Sequence, residues 1–254
     1  MTSPPPAIRR AVLTSEQVLT LQGWCAEIET WPAGSHVSGQ YAEQTPGGPT
    51  ICRTENVSAC HLGVAELVEG SLRELAAAVR GEPVSAFKDK VNYKQPGGAG
   101  FRPHQDLLAY PGVDVVISVL VAIDECTRES GCLWIADGVE ELLATDDRGV
   151  VQDEIVKTLD WSPAELAPGD AVCIDGFAPH YSEANDSDRS RRVLVASYAP
   201  SSEGYSRSQY YAARRAAMTD ASARDGRSRI STLADFDGTE ISMGATATDQ
   251  CTHD

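Results

Sequence analysis

The sequence predicts a mainly β protein with flanking helices, organised as one domain. The middle of the chain holds several short runs of β-forming residues, which are separated by turn signals such as Pro111-Gly112 and Pro168-Gly169. Segments with helical periodicity lie near the two ends, so most strands follow one another without a helix between them. That order is typical of a sandwich or barrel. At 254 residues, one such domain can bury a full core.

Two helices are predicted in the N-terminal part of the chain, between residues 14 and 80. In residues 14–30 the apolar positions recur at helical spacing, and Thr14 or Ser15 is the expected N-cap. In residues 63–80 apolar positions again repeat at the helical period, and Gly81 follows the last of them. We expect the second helix to pack on the sheet.

A loop rich in Gly, Pro and Thr is expected at residues 33–49, and the β core is predicted from about 87 to 199. Residues 87–94 alternate, which places Phe87, Val91 and Tyr93 on one face and polar residues on the other. The polar face consists of Lys88, Lys90, Asn92 and Lys94. Further strands are predicted at residues 113–123, 131–135, 171–174 and 192–198.

The C-terminal part predicts a polar helix and then a tail. Residues 204–230 form an Arg- and Ser-rich stretch with helical character. Residues 238–254 are expected to be a weakly ordered tail. The single domain is therefore expected to span residues 1–237.

The net charge of −16 argues against two classes of partner. Nucleic acid and anionic membrane surfaces attract an excess of Lys and Arg, which this chain lacks. No apolar run approaches the roughly 18 residues of a membrane span, and the N-terminus has no signal-peptide pattern. The seven cysteines are scattered without a CxxC spacing, so we expect free thiols and a cytoplasmic protein.

The stretch FRPHQDLLAY contains the first candidate for a chemical site. His104 and Asp106 stand at i and i+2, so on an extended segment both side chains point to the same face and can reach one metal. A third ligand would come from the remaining histidines, which are His36, His61, His180 and His253. His180 is favoured because it follows a predicted strand and a turn. Two histidines and a carboxylate on one face are typical of non-haem Fe(II) oxygenases.

Arg191 is the second candidate. It lies eleven residues after His180, at the start of an apolar strand whose alternation turns Arg191, Val193 and Val195 to one face. An inward-facing arginine is costly to bury unless it has an anionic partner. A dicarboxylate co-substrate would be such a partner for the guanidinium group.

Three motifs in order carry a family resemblance: KDKVNYKQPGGAGFRPHQD, then SGCL, then APHYSEANDSDRSRR. Together they resemble the phytanoyl-CoA dioxygenase family of Fe(II)- and 2-oxoglutarate-dependent oxygenases. The resemblance implies a double-stranded β-helix (jelly roll) core and a reaction that consumes O2. It also implies that iron is held by His104, Asp106 and His180, and that Arg191 binds the distal carboxylate of 2-oxoglutarate.

Other roles are implied by the same resemblance. Lys88 best matches a further polar contact to the co-substrate, and Lys90 and Asn92 are weaker matches. A related subclass that binds chloride has Gly or Ala in place of the carboxylate, so Asp106 favours hydroxylation over halogenation.

The substrate is expected to be small, polar and anionic, because the lysine face offers more positive charge than one co-substrate requires. Lys90, Lys94 and Tyr110 are the candidate substrate contacts. The motif text is closest to bacterial enzymes that act on 2-aminoethylphosphonate-like compounds, and tailoring of a secondary metabolite is the alternative. A metal-dependent hydrolase or a sensor on the same barrel is an alternative of another class. A monomer or a homodimer is expected.

Overall fold

The computed structural model describes residues 7–31, 39–225, 230–233 and 235–241. The helices are α1 (Ser15–Glu29), α2 (Leu62–Glu69), α3 (Ser71–Arg80), α4 (Asp153–Val156) and α5 (Arg207–Asp225). The strands are β1 (Ala7–Arg9), β2 (Gly39–Thr45), β3 (Gly48–Glu55), β4 (Val84–Lys94), β5 (Phe101–His104), β6 (Ile117–Ala122), β7 (Leu133–Ala136), β8 (Trp161–Ala164), β9 (Ala171–Asp175), β10 (His180–Ser182), β11 (Arg191–Pro200) and β12 (Thr239–Ile241). The mainly β architecture with flanking helices is confirmed.

The strands form two antiparallel sheets. The larger has the order β1-β9-β6-β11-β4-β3-β2-β12, and the smaller has the order β5-β10-β7-β8. Apolar side chains from both sheets pack between them, including Ile135 of the smaller sheet and Val172, Val193 and Val195 of the larger. This interior layer is what a sandwich of two sheets requires.

The helices α1, α2 and α3 cover the outer face of the larger sheet. Leu21 of α1, Val64 of α2 and Leu72 of α3 are fully buried, and they share one core with Val91 and Leu194 of the sheet. Because side chains alternate along a strand, the opposite face of β4 and β11 is left for the interior between the sheets. The polar residues of β4 therefore point to that interior.

The boundaries of the N-terminal helices agree with the prediction except at one point. Thr14 caps α1, and its hydroxyl accepts a hydrogen bond from the backbone N–H of Gln17. Gly81 ends α3 with a φ of 76°, a conformation that glycine adopts without strain. The segment expected to be one helix is divided at Gly70, which has a φ of −103° and a ψ of −111° and separates α2 from α3.

Several strands were missed or misplaced by the prediction. The segment expected to be a loop at residues 33–49 contains β2 and the start of β3, and the expected tail contains β12, which pairs with β2. The predicted C-terminal helix begins at Arg207 rather than at residue 204. The strands β1, β5, β8 and β10 have only three or four residues each, too few for a periodic pattern to show.

Cysteine chemistry differs in part from the expectation. Free, buried thiols are found at Cys25, Cys52, Cys126, Cys132 and Cys173. Cys60 is disulfide-bonded, so the expectation of free thiols is wrong at this position, and Cys251 lies outside the described residues. Among the described helices, none is long and apolar enough to cross a membrane.

Candidate active site

His104, Asp106 and His180 lie together between the two sheets. His104 ends β5 and pairs directly with His180, the first residue of β10. Asp106 begins a short 3-10 helix (Asp106–Ala109) rather than continuing the strand, which ends two residues earlier at His104. One ligand atom from each of the three residues lies within 4.8 Å of the others. Nitrogen and carboxylate donors at this separation can hold one metal ion on a single face.

Backbone contacts select the tautomer of both histidines. Nδ1 of His104 lies 2.7 Å from the carbonyl oxygen of Arg102, and Nδ1 of His180 lies 3.0 Å from that of Ala178. A carbonyl oxygen can only accept, so each Nδ1 carries the hydrogen. Each Nε2 is then left with a lone pair for a metal.

The protonation states also suit metal binding. Burial alone would raise the pKa of Asp106, but the neighbouring charges of His180 and Lys88 outweigh it and lower that pKa below its usual range. Burial, and then the charge of His104, lowers the pKa of His180 to about 4. At neutral pH the site therefore offers an ionised carboxylate and a neutral imidazole.

A second group of cations lies at one end of the cavity, where Arg191 pairs in register with Lys94. Both side chains are almost fully buried and both donate to the carbonyl oxygen of Gly131. Nζ of Lys94 also donates to the hydroxyl of Ser182 at 2.8 Å and to the carbonyl oxygen of Glu183. Burial, and then the charge of Arg191, lowers the pKa of Lys94 well below its usual value. Two adjacent buried cations make a receptor for an anion.

Gly131 is required at this end of the cavity by its conformation and by the space around it. Its φ is +70°, and a Cβ atom there would collide with the carbonyl oxygen of Glu183. The glycine belongs to the SGCL motif, whose last residue, Leu133, is the first residue of β7 in the smaller sheet.

A third group of charges lines the cavity toward the other end of β4. Its cations are Lys88, Lys90, Arg53 and Arg214. Glu55 lies between the two arginines: it is 3.3 Å from Nη1 of Arg53 and 2.5 Å from Nε of Arg214. Both arginines also donate to the carbonyl oxygen of Ile230.

The two lysines of this group have different surroundings. Nζ of Lys88 donates to the hydroxyl of Tyr110 at 2.8 Å. Nζ of Lys90 has no hydrogen bond or ion pair with any residue that the structure describes. Burial, and then the charge of Arg53, lowers the pKa of Lys90 well below its usual value. Burial lowers the pKa of Lys88 to about 8.

The pairing register of β4 with β11 separates the lysines that the sequence placed together on one face of β4. Lys94 is level with Arg191, but Lys88 is level with Ser197 at the far end of β11. The structure thus brings Lys94, and not Lys88, to Arg191. Asn92 lines the cavity between them, and its side-chain oxygen accepts from Nε of Arg53 at 3.0 Å.

Two other residues that the sequence reasoning considered, Tyr110 and His61, make contacts that stabilise the fold. Tyr110 is fully buried behind Lys88, where it packs edge-to-face on Phe87. His61 caps α2, because its Nδ1 accepts from the backbone N–H of Val64 at 3.2 Å. His36 and His253 lie outside the described residues.

Five charged residues of the site were missed by the sequence reasoning: Glu43, Arg53, Glu55, Arg214 and Asp235. Arg53 and Glu55 stand two apart on β3, so strand alternation could have found them as a pair once that segment was recognised as a strand. Arg214 and Asp235 come from the C-terminal part of the chain, and no local pattern connects them to the metal-ligand motif.

Comparison with known proteins agrees with this geometry. Residues 7–193 match the family model described as phytanoyl-CoA dioxygenase (PhyH). A methylphosphonate hydroxylase of Gimesia maris is 36% identical over 230 residues, covering 89% of this chain and 88% of that protein. A 2-aminoethylphosphonate dioxygenase of an uncultured bacterium, HF130_AEPn_1, is 37% identical over 202 residues, covering 75% and 76%.

Solved structures show the same fold. EctD from S. alaskensis, solved with 2-oxoglutarate and 5-hydroxyectoine, superposes with a TM-score of 0.66 at 18% identity and covers 79% of this chain and 74% of its own. The α-ketoglutarate-dependent epimerase SnoN superposes with a TM-score of 0.64 at 19% identity and covers 78% and 79%. The two antiparallel sheets are therefore those of the jelly roll that the sequence predicted. The chain belongs to the phytanoyl-CoA dioxygenase family and is an iron(II)- and 2-oxoglutarate-dependent dioxygenase.

Proposed function

We propose that this enzyme hydroxylates a small alkylphosphonate. His104, Asp106 and His180 hold the iron, and Arg191 with Lys94 holds the distal carboxylate of 2-oxoglutarate. When bound, iron with 2-oxoglutarate and O2 supplies the oxidising power to replace a substrate C–H bond by C–OH, with succinate and carbon dioxide as the other products. The protein's own residues would hold the two anions at different ends of the cavity, with Arg191 and Lys94 at one end and Lys90 toward the other.

The main support for an anionic substrate is that Lys90 has no hydrogen bond or ion pair with any described residue. Its ammonium group is partly buried in a cavity that already holds Lys88, Arg53 and Arg214, and among the described residues Glu55 compensates the two arginines. A buried cation without a partner is costly, so an anionic ligand is favoured there. A phosphonate group carries up to two negative charges and three acceptor oxygens, which suits two lysines better than a carboxylate does.

This assignment exchanges the roles that the sequence suggested for two lysines. Lys94 serves the co-substrate because it is level with Arg191. Lys88 joins Lys90 on the substrate side, and Asn92 lies between the two anion sites. Both similar proteins named above act on phosphonates according to their names, which supports the same class here.

The test is a coupled assay of succinate and of hydroxylated product. Methylphosphonate, 2-aminoethylphosphonate and 2-aminoethylsulfonate are offered with Fe(II) and 2-oxoglutarate. We expect a phosphonate to be hydroxylated with one succinate per product, and the sulfonate, which has one negative charge, to be a poor substrate. Equal turnover of the sulfonate, or turnover only of a neutral natural product, would refute the phosphonate assignment and favour a tailoring oxygenase.

The same assay separates the oxygenase from a hydrolase or a sensor on the same barrel. Arg191 and Lys94 would have no ligand in a zinc hydrolase, and neither alternative would produce succinate. We further propose that residues 1–237 act as one domain together with β12, which pairs with β2, and that the protein is a monomer or homodimer. We also propose a cytoplasmic location, which the five buried free thiols favour and the disulfide of Cys60 does not.

A further inference from the structure

The C-terminal segment, residues 230–233 and 235–241, contributes part of the cavity lining. The backbone N–H of Arg102 donates to the carbonyl oxygen of Asp235 at 2.7 Å, and that of Asp237 donates to Gly100 at 3.1 Å. Phe236 bridges to Phe101, with ring centroids 5.0 Å apart. This segment lies after residues 7–193, which match the family model, so it is a part of the site that the family motifs do not contain.

Asp235 is the charged residue that this segment places beside the metal ligands. Its side chain is buried at 2% exposure, and its Oδ2 lies 3.3 Å from Nδ1 of His104. Its Oδ1 has no hydrogen-bond partner among the described residues. Burial of a carboxylate is costly unless it is paired, and His104 is the partner that the described residues provide.

We propose that Asp235 is a positioning residue that orients His104 for the metal, an inference that rests on the proposed role of His104 as a ligand. Nδ1 of His104 donates to the Arg102 carbonyl and also faces Asp235, whereas Nδ1 of His180 contacts only the Ala178 carbonyl among the described residues. A carboxylate behind the ring fixes its orientation and makes Nε2 a stronger donor. The C-terminal segment thereby contributes both to the cavity lining and to the orientation of a proposed metal ligand.

The experiment is a Co(II) titration of the full-length apoprotein without substrate, followed by the absorption of bound Co(II). Asp235→Ala should weaken Co(II) binding by about 10- to 100-fold, which is the usual effect of removing such a partner. Asp235→Asn keeps the shape and one acceptor oxygen, so its loss should be smaller. Asp237→Asn is the matched control, because this exposed carboxylate lies in the same segment without touching His104; its Co(II) affinity should equal that of the wild type.

Two outcomes separate this inference from the proposed metal site. His104→Ala should abolish Co(II) binding; unchanged binding in that variant would overturn the metal site itself. If His104→Ala does not bind Co(II) but both Asp235 variants keep the wild-type Co(II) affinity and absorption, only the role of Asp235 is overturned. Thermal unfolding of the apoproteins shows whether each variant is folded, and the Asn variant decides the matter if the Ala variant is not.

Discussion

Replacing Arg191 by alanine should weaken 2-oxoglutarate binding far more than replacing its neighbour Arg192. The Arg191 side chain is 6% exposed, donates only to the carbonyl of Gly131 among the described residues, and leaves its Nε without a partner. Arg192 points to the other face of the sheet, where Asp124 accepts from its Nε at 2.7 Å and from its Nη2 at 3.0 Å. The two adjacent arginines therefore form a matched pair for the test.

The expected loss of 2-oxoglutarate binding free energy in Arg191→Ala depends on the neighbouring Lys94. Loss of one partner from a buried charge pair costs about 2 to 5 kcal/mol. Because Lys94 lies beside Arg191 and retains its charge near the same carboxylate, we expect the lower part of this range, about 2 to 3 kcal/mol. That corresponds to a rise of about 30- to 150-fold in the dissociation constant of 2-oxoglutarate.

The assay is an anaerobic titration of the Fe(II) enzyme with 2-oxoglutarate, followed by the charge-transfer absorption of the complex. Arg192→Ala should leave this constant nearly unchanged and lower the thermal stability instead. Arg191→Ala should not destabilise the apoprotein, because it removes a cation that repels Lys94. Equal weakening of 2-oxoglutarate binding in both variants would refute the assigned faces of β11.

Three further predictions concern other residues of the chain. Lys90→Met should raise the KM for the phosphonate by about 10- to 150-fold, because a lost charged hydrogen bond costs about 1.5 to 3 kcal/mol. Succinate should continue to form without hydroxylated product. The variant Lys157→Met, at an exposed lysine, is the control, and normal coupling of succinate to product in the Lys90 variant would contradict the substrate site. Asp106→Ala should abolish hydroxylation and Co(II) binding with the far-UV circular dichroism preserved, and a hydroxylating variant would disprove the ligand set. Burial raises the pKa of Cys25 to about 12, so this thiol should stay protonated at pH 8 and react with a disulfide reagent only after unfolding. Peptide mass spectrometry follows the labelling. Rapid labelling of Cys25 in the native protein would be inconsistent with its burial.

Local patterns in the sequence were enough to predict the fold class and the three residues that the structure brings together as a candidate metal site. The i, i+2 spacing of His104 and Asp106 is a short-range property, and so is the alternation that turns Arg191 inward. Helix caps such as Thr14 are equally local, since donor and acceptor lie within one turn. The short strands β1 and β8 were not predicted, because three or four residues are too few positions to show a period.

The sequence by itself therefore determined which side chains of the predicted strands β4 and β11 face the interior, and the tertiary structure decided which of them work together. Alternation assigns a residue to a face of a strand but says nothing about its level along the partner strand. The pairing of β11 with β4 sets that level, and it places Lys94 rather than Lys88 beside Arg191. Asp235 reaches His104 from a segment more than a hundred residues away in the chain, through backbone contacts to Gly100 and Arg102. Contacts of this range depend on how the strands and the C-terminal segment pack, which no local pattern encodes.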